Sequence, residues 1–356
     1  MGFDLGFYKG KKVLLTGHTG FKGSWLSVML VNAGANVIGY SSCSKEEVRL
    51  FDLCGVKSQI AHVKGDVRDL SHLLEVFGSY QPEIVIHMAA QPIVRDGYKD
   101  PVRTYSTNVM GTVNVCEAVR LTASVRSFLN VTTDKVYENK EWEWGYRENE
   151  PLDGFDPYSN SKSCAELVTH SYKSSFFMDK RVAVSTARAG NVIGGGDFAN
   201  ERIIPDCVRA AVKGDVIIVR NPSSTRPYQH VLEPIYAYLM IAAKQFEDPR
   251  FQSWYNVGPD EKDCFQTRTL VDMFVNRWGD GLKWMERYDG GPHESNFLKL
   301  DCSKLKTTFG WKPHWDLETA IDKVVEWSKK WLAGENVRQV MDEQIKAFLE
   351  CERDSV

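Results

Sequence analysis

Short apolar runs alternate with amphipathic stretches through the first half of the chain. Lys12 to Thr16 is a compact apolar run that ends at a glycine, the pattern of a strand buried on both faces. Phe21 to Ala33 follows with apolar residues at helical spacing, and Gly34 stops it. Further strands are predicted at Asn36 to Tyr40, Gln59 to Val63, Glu83 to His87, Arg126 to Val131 and Val182 to Ala187. Helices are predicted at Asp69 to Phe77, Pro101 to Leu121 and Pro157 to Phe177. This alternation implies an α/β fold, a doubly wound parallel Rossmann sheet with helices on both faces.

Beyond Gly190 the rhythm breaks. Short strands (Val216 to Val219, Trp254 to Val257, Leu282 to Met285) and helices (Thr267 to Trp278, Leu317 to Leu332) mix without a period. The expected division is a nucleotide-binding domain over 1–188, to which 229–257 return. A smaller α+β substrate lobe takes 189–228 and 258–356 and ends in an amphipathic helix at Asn336 to Cys351.

Composition narrows the class. The 356 residues are 43% hydrophobic and 26% charged with a net charge of −3, which fits an ordered globular protein. That balance gives no reason to expect nucleic acid or an anionic membrane as partner. No apolar run approaches the ~20 residues of a membrane span, and Met1 to Gly10 lacks an export pattern, so a cytoplasmic protein is expected. The eight cysteines include no C-x-x-C pair and read as reduced thiols, with no metal site predicted.

Two motifs carry chemistry. Gly17-His18-Thr19-Gly20-Phe21-Lys22-Gly23 joins the first strand to the first helix. Its glycines permit a tight turn and close backbone approach, and the helix N-terminus offers unpaired N–H groups to a pyrophosphate. A structural glycine turn is the bland alternative. The second strand ends Gly39-Tyr40-Ser41-Ser42, with neither the acid of an NAD site nor an arginine for NADP, so this position leaves the cofactor open. Asp66 and Val67 are candidates for the adenine edge; Asp66 reads equally well as a cap for the helix beginning at Asp69.

Tyr158 and Lys162 stand four apart at the start of a helix and face the same way. A nearby ammonium stabilises phenolate and makes a base useful near neutral pH. Tyr8 and Lys12 repeat the spacing, but before the glycine turn. The Tyr158 pair instead follows Val131-Thr132-Thr133-Asp134-Lys135, at the carboxyl edge of the sheet where ligands bind. In the second half, Asn191, Arg202-Ile203, Arg220 and Arg226 are candidate contacts for a diphosphate, which arginine grips in a bidentate manner. Surface charge is the equal alternative for each arginine. His230 and His293 read as structural or rim residues, and Trp142, Trp144 and Trp311 as core or cleft lining.

The glycine turn, Asn108 in Thr107-Asn108-Val109, Thr132 to Tyr137 and the Tyr158/Lys162 pair together resemble the extended short-chain dehydrogenase/reductase family, its sugar-nucleotide dehydratase branch above all. More narrowly, Gly17 to Leu26, Thr133 to Tyr137, Glu143-Trp144-Gly145-Tyr146-Arg147-Glu148 and Leu298-Lys299-Leu300-Asp301 resemble the members of that branch acting on CDP-glucose. The resemblance implies a lyase with NAD as catalytic cofactor. Carbon 4 of the sugar is oxidised, water is lost across carbons 5 and 6, and hydride returns to carbon 6. It implies Tyr158 and Lys162 as the oxidation pair, Thr133 as ketone-polarising hydroxyl and Asp134 as general acid. Lys135, where the dTDP-glucose branch carries Glu, is implied as base when neutral or enolate stabiliser when charged. It adds Ala89, Ala90 and Asn108 to the cofactor contacts. It also implies a homodimer through the long helices after the fourth and fifth strands, and a place in bacterial surface-polysaccharide synthesis. A sugar-nucleotide 4-epimerase is the alternative within the fold, and a non-catalytic nucleotide-binding protein the alternative outside catalysis.

Overall fold

A computed structural model describes residues 3–42, 48–177, 182–291 and 295–353. Cys43 and His293 therefore lie outside the described residues. Seven strands form the central sheet: β1 Lys12–Thr16, β2 Asn36–Ser41, β3 Ala61–Lys64, β4 Ile84–His87, β5 Ser127–Val131, β6 Ala183–Ala189 and β7 Trp254–Val257. All pairings are parallel, in the order β7-β6-β5-β4-β1-β2-β3. The expected α/β doubly wound sheet is what forms, and its order reverses between β1 and β4, where such folds open a crevice for ligands.

The longer helices are α1 Phe21–Asn32, α2 Leu70–Tyr80, α3 over residues 101–121, α4 Pro157–Phe176, α5 Ile203–Lys213, α6 Leu232–Glu247, α7 Thr267–Trp278, α8 Leu317–Leu332 and α9 Val337–Arg353. The two-residue period of the strands sorts side chains between the layers. Val13, Leu15, Ile84, Ile86, Leu129 and Val131 pack with Trp25, Leu26, Ile235 and Leu239 of α1 and α6. Leu14, Val85 and Phe128 turn the other way, onto Leu73, Phe77, Val115 and Val119 of α2 and α3. Each such side chain, fully buried, contributes about 1.5–3 kcal/mol. Outside the sheet, Ile204, Ile217, Leu270, Phe274, Ile321 and Val324 form a separate core where α5, α7 and α8 enclose the parallel pair Ile217–Val219 and Trp284–Glu286.

Three local readings change. The third strand starts at Ala61, because Val56–Gln59 winds into a 3-10 turn. The cap of α2 is Asp69, whose Oδ1 accepts the His72 N–H at 3.1 Å; Asp66 instead turns back on Arg68. The helix over 101–121 is not uniform. Ser106–Met110 is a π turn, in which the Gly111 N–H reaches Ser106 O. Irregular turns of this kind inside helices frequently mark functional sites.

Candidate active site

The glycine turn brings two backbones closer than any side chain permits. Gly17 has φ +76°, and a Cβ there would lie 2.8 Å from the Ala89 nitrogen; one on Gly23 would lie 2.3 Å from Gly17 O. Gly20, the N-cap of α1, supplies no side-chain acceptor, so first-turn N–H groups face out of the turn uncapped. This cradle fits the pyrophosphate of a dinucleotide on the helix N-terminus. Ala89 packs beneath the turn as β4 ends, with Ala90 the next residue, and the Met88 and Ala89 N–H groups donate to Thr16 Oγ1 at 3.0 and 3.1 Å. Thr19 Oγ1 lies 2.8 Å from Ser41 Oγ, which places two hydroxyls where an acidic clamp is usual. Beside them His18 Nε2 meets His62 Nδ1 at 2.7 Å, and burial with the neighbouring His62 pushes His18 down to about 4.

One cavity of about 270 Å³ opens at the carboxyl edge of β5 and β6. It brings together Phe21, Lys22, Thr133, Asp134, Lys135, Tyr158, Asn191, Arg202, Ile203, Arg220 and Arg226, all singled out in the sequence. Asp156 caps α4, accepting the N–H groups of Tyr158 and Ser159 at 2.9 and 3.1 Å, and Pro157 starts the helix. That cap fixes Tyr158 in the first turn, where its side chain reaches the cavity. Lys162 follows one turn on and donates Nζ to Val131 O at 3.1 Å.

Electrostatics give the carboxyl and the phenol distinct roles. Asp134 is 2% exposed. Its Oδ1 accepts Thr133 Oγ1 at 3.0 Å, and its Oδ2 has no partner. Burial pushes its pKa up, against the opposing pull of Lys135, Thr133 and Arg226. A carboxyl held toward its protonated form, with one oxygen free, suits a proton donor. Burial also drives Tyr158 up to about 12, opposed by a hydrogen bond from Thr133 and by the Arg202 charge. The expected lowering by Lys162 is thus not what governs this phenol: without ligands it is neutral, because desolvation outweighs the nearby cations. Burial and the neighbouring Lys22 lower Lys162 to about 8. Lys22 is lowered likewise to about 8 by burial and Arg202.

Other residues stand elsewhere. Asn108 does not line the cavity. Its amide accepts the Gln91 N–H at 2.8 Å and donates to Gln91 O and Ser161 Oγ, clamping the loop after β4 to α4. Val67 is buried against α3, and Asp66 is held low by its hydrogen bond with Arg68. His230 is buried between Trp25 and Trp315. Trp311 is core and Trp142 stacks on Tyr146; Trp144, 61% exposed, lies against Trp142 and lines a second pocket with Gly145 and Leu300, apart from the candidate cavity.

Sequence reasoning passed over Arg95, Glu201 and Asp289. Arg95 follows β4 and reaches across to Asp289 at 2.8 Å, while Arg220 pairs with Glu201, so the cavity mouth carries two guanidiniums and two carboxylates. Position at a strand's carboxyl end was the available signal for Arg95.

Comparison with known proteins agrees with this geometry. The model of the family described as GDP-mannose 4,6 dehydratase matches residues 14–324. The chain is 44% identical to the CDP-glucose 4,6-dehydratase of Salmonella typhimurium over 352 residues, 97% of this chain and 98% of that one. It is 26% identical to a dTDP-glucose 4,6-dehydratase of Xanthomonas campestris, over 90% and 95% of the two chains. In shape it is similar to the dTDP-glucose 4,6-dehydratase of Bacillus anthracis, solved with NAD (TM-score 0.78, 21% identity, 90% and 97% covered). It is equally similar to a UDP-glucose 4-epimerase of Thermotoga maritima (0.79, 20%, 90% and 99%). A family match through sheet and outer lobe alike, and a relative aligned almost end to end, lead to one conclusion: the chain belongs to the GDP-mannose 4,6-dehydratase family of nucleotide-sugar enzymes.

Proposed function

We propose that the chain is an NAD-dependent CDP-glucose 4,6-dehydratase, converting CDP-D-glucose to CDP-4-keto-6-deoxy-D-glucose. The observation that carries the reading is Asp134. A buried carboxyl with a raised pKa and a free oxygen stands in the same cavity as Thr133 and Tyr158. An epimerase has no leaving water to protonate and needs no such acid. The 44% identity over nearly the whole chain supports CDP-glucose as substrate.

The turn at Gly17, Thr19, Gly20 and Gly23 would hold the cofactor's pyrophosphate, with Phe21 and Lys22 at its cavity end. Ala89 and Ala90 would lie beneath it, and Asp66 and Val67 would be its contacts at the adenine. When bound, NAD supplies a cationic two-electron acceptor that stores hydride between oxidation at carbon 4 and reduction at carbon 6. Tyr158 takes the proton of the sugar 4-hydroxyl as phenolate, the form that Arg202 and the positive ring of a bound NAD would favour against burial, and Lys162 fixes the end of β5 beside it. Thr133 donates a hydrogen bond to the 4-oxygen as ketone character develops. The ketone acidifies the carbon-5 proton, which Lys135 removes when neutral, and the ammonium so formed stabilises the enolate. Asp134 delivers its proton to the departing 6-hydroxyl. Asn191, Arg202, Ile203, Arg220 and Arg226 hold the nucleotide diphosphate, with the outer lobe as substrate lobe.

Apolar side chains on α3 and α4, among them Val102, Met110, Leu121, Leu167 and Phe176, are exposed, which supports a homodimer through those helices. No helix among the described residues is long and apolar enough to cross a membrane. A cytoplasmic enzyme making deoxysugar precursors for surface polysaccharide fits this reading. The test is kcat/KM with NAD across CDP-, dTDP-, UDP- and GDP-glucose, read by the alkali absorbance of the 4-keto product. CDP-glucose should lead; product from none of the four would overturn the reading.

A further inference from the structure

Tyr158, Lys162, Glu166 and His170 stand at four-residue intervals on α4, so they form one stripe along the helix. Tyr158 lies at the cavity; Glu166 lies two turns deeper and touches neither cavity nor solvent. Its Oε1 accepts Thr132 Oγ1 at 2.5 Å. Its Oε2 accepts Thr186 Oγ1 at 2.7 Å and Arg188 Nη2 at 2.9 Å, and His170 Nε2 approaches it to 3.3 Å. Arg188, also wholly buried, donates Nη1 to Tyr137 OH at 2.9 Å and to Glu148 O at 3.0 Å. Tyr137 in turn donates to Asn256 Oδ1 at 2.6 Å. Thr132 precedes the turn Thr133-Asp134-Lys135, and Tyr137 follows it. Both ends of the segment bearing the acid and the ketone-polarising hydroxyl are thus tied to one buried ion pair.

Such a pair is poor evidence for stability, since desolvation offsets its Coulomb attraction. Fixing a geometry is its better use. We propose that Glu166 is a positioning residue of the reaction: it anchors the Thr132–Tyr137 segment against β6 and holds positive charge on Lys162. The charged and titratable groups acting on Lys162 are Lys22 from α1, His87 from β4 and Glu166 from its own helix, where Tyr158 stands one turn earlier. Burial keeps His87 neutral and drives Tyr158 up, and Lys22 opposes the lysine's charge. Glu166 is the group that sustains that charge.

The kinetic part of the test rests on the dehydratase reading; the titration does not. In ligand-free protein, lysine ε-carbon NMR with Lys162 assigned through Lys162→Arg should show Glu166→Gln lowering its titration by about one pH unit or more. The alkaline limb of kcat should move the same way, with KM within about twofold of wild type. Thr132→Val, which spares the ion pair, should lower kcat about tenfold or more at unchanged KM without moving the limb, and Thr132→Ser should restore it. An unmoved Lys162 titration overturns the electrostatic part, and a fully active Thr132→Val overturns the anchoring part. Should Glu166→Gln fail to fold, the Thr132 pair decides. Wild-type protein that leaves CDP-glucose untouched condemns the reading above and leaves the titration standing as the test.

Discussion

Replacing Asp134 by Asn isolates one proton. The substitution is nearly isosteric, and an amide oxygen accepts the Thr133 hydroxyl as the carboxylate Oδ1 does, now at 3.0 Å. What disappears is the acidic hydrogen on a carboxyl that burial biases toward protonation. General acid catalysis is worth about 100- to 10,000-fold, or about 3–5 kcal/mol of transition-state stabilisation, and that is the expected loss in product formation. Oxidation at carbon 4 and proton exchange at carbon 5 do not need this acid. In deuterated water, substrate recovered from Asp134→Asn should therefore still gain deuterium at carbon 5 while the 4-keto-6-deoxy product nearly vanishes. Stability separates this from misfolding. The Asp134 pKa is raised above its ordinary value near 3.8, so the stability it contributes is full below that value and is lost as pH rises through the folded pKa. The Asn variant should match wild type in thermal unfolding near pH 3 and equal or exceed it at pH 8. Near-normal turnover by Asp134→Asn, or loss of carbon-5 exchange together with turnover, would refute the assignment of Asp134 as the acid for the leaving water.

Tyr158→Phe should bind CDP-glucose within a few-fold of wild type by calorimetry while kcat falls about 100-fold or more; unchanged kcat would remove the phenol from the reaction. Gly23→Ala forces a Cβ to 2.3 Å from Gly17 O, a backbone atom that cannot yield, so NAD affinity should fall about 100-fold or more in protein whose circular dichroism is intact. Arg220→Ala should raise KM for CDP-glucose about tenfold or more at little cost in kcat, as a charge-assisted contact to diphosphate is lost; an unchanged KM would place Arg220 outside the site.

The sheet was legible because its strands are short apolar runs whose two faces are both buried, and the glycine turn because only glycine fits where β4 passes beneath it. Phe21, Lys22 and the Thr133, Asp134, Lys135 and Tyr158 cluster were legible for a related reason: they sit at strand ends and in the first turns of helices, where sequence position sets direction. Tertiary context decided the rest. Burial, which no spacing encodes, set the ionisation of Tyr158 against the simple expectation from its lysine. Asn108 reads as a cofactor contact in sequence, yet its π turn aims the amide at Gln91 and Ser161. Asp66 reads as a cap in sequence, yet the side chain that accepts the first-turn N–H of α2 is that of Asp69, three residues on. Arg95 and Glu201 meet across the cleft from segments more than a hundred residues apart, beyond the reach of local pattern.

The central claim is an elimination carried through by one stored hydride. It is tested by incubating the protein with NAD and CDP-glucose bearing deuterium at carbons 4 and 5, in ordinary water, and reading the product by NMR. The product should be a 4-keto-6-deoxy sugar with the carbon-4 deuterium moved to carbon 6 and protium from solvent in place of deuterium at carbon 5. A 4-epimer that keeps deuterium at carbon 4 and exchanges nothing at carbon 5 would contradict it.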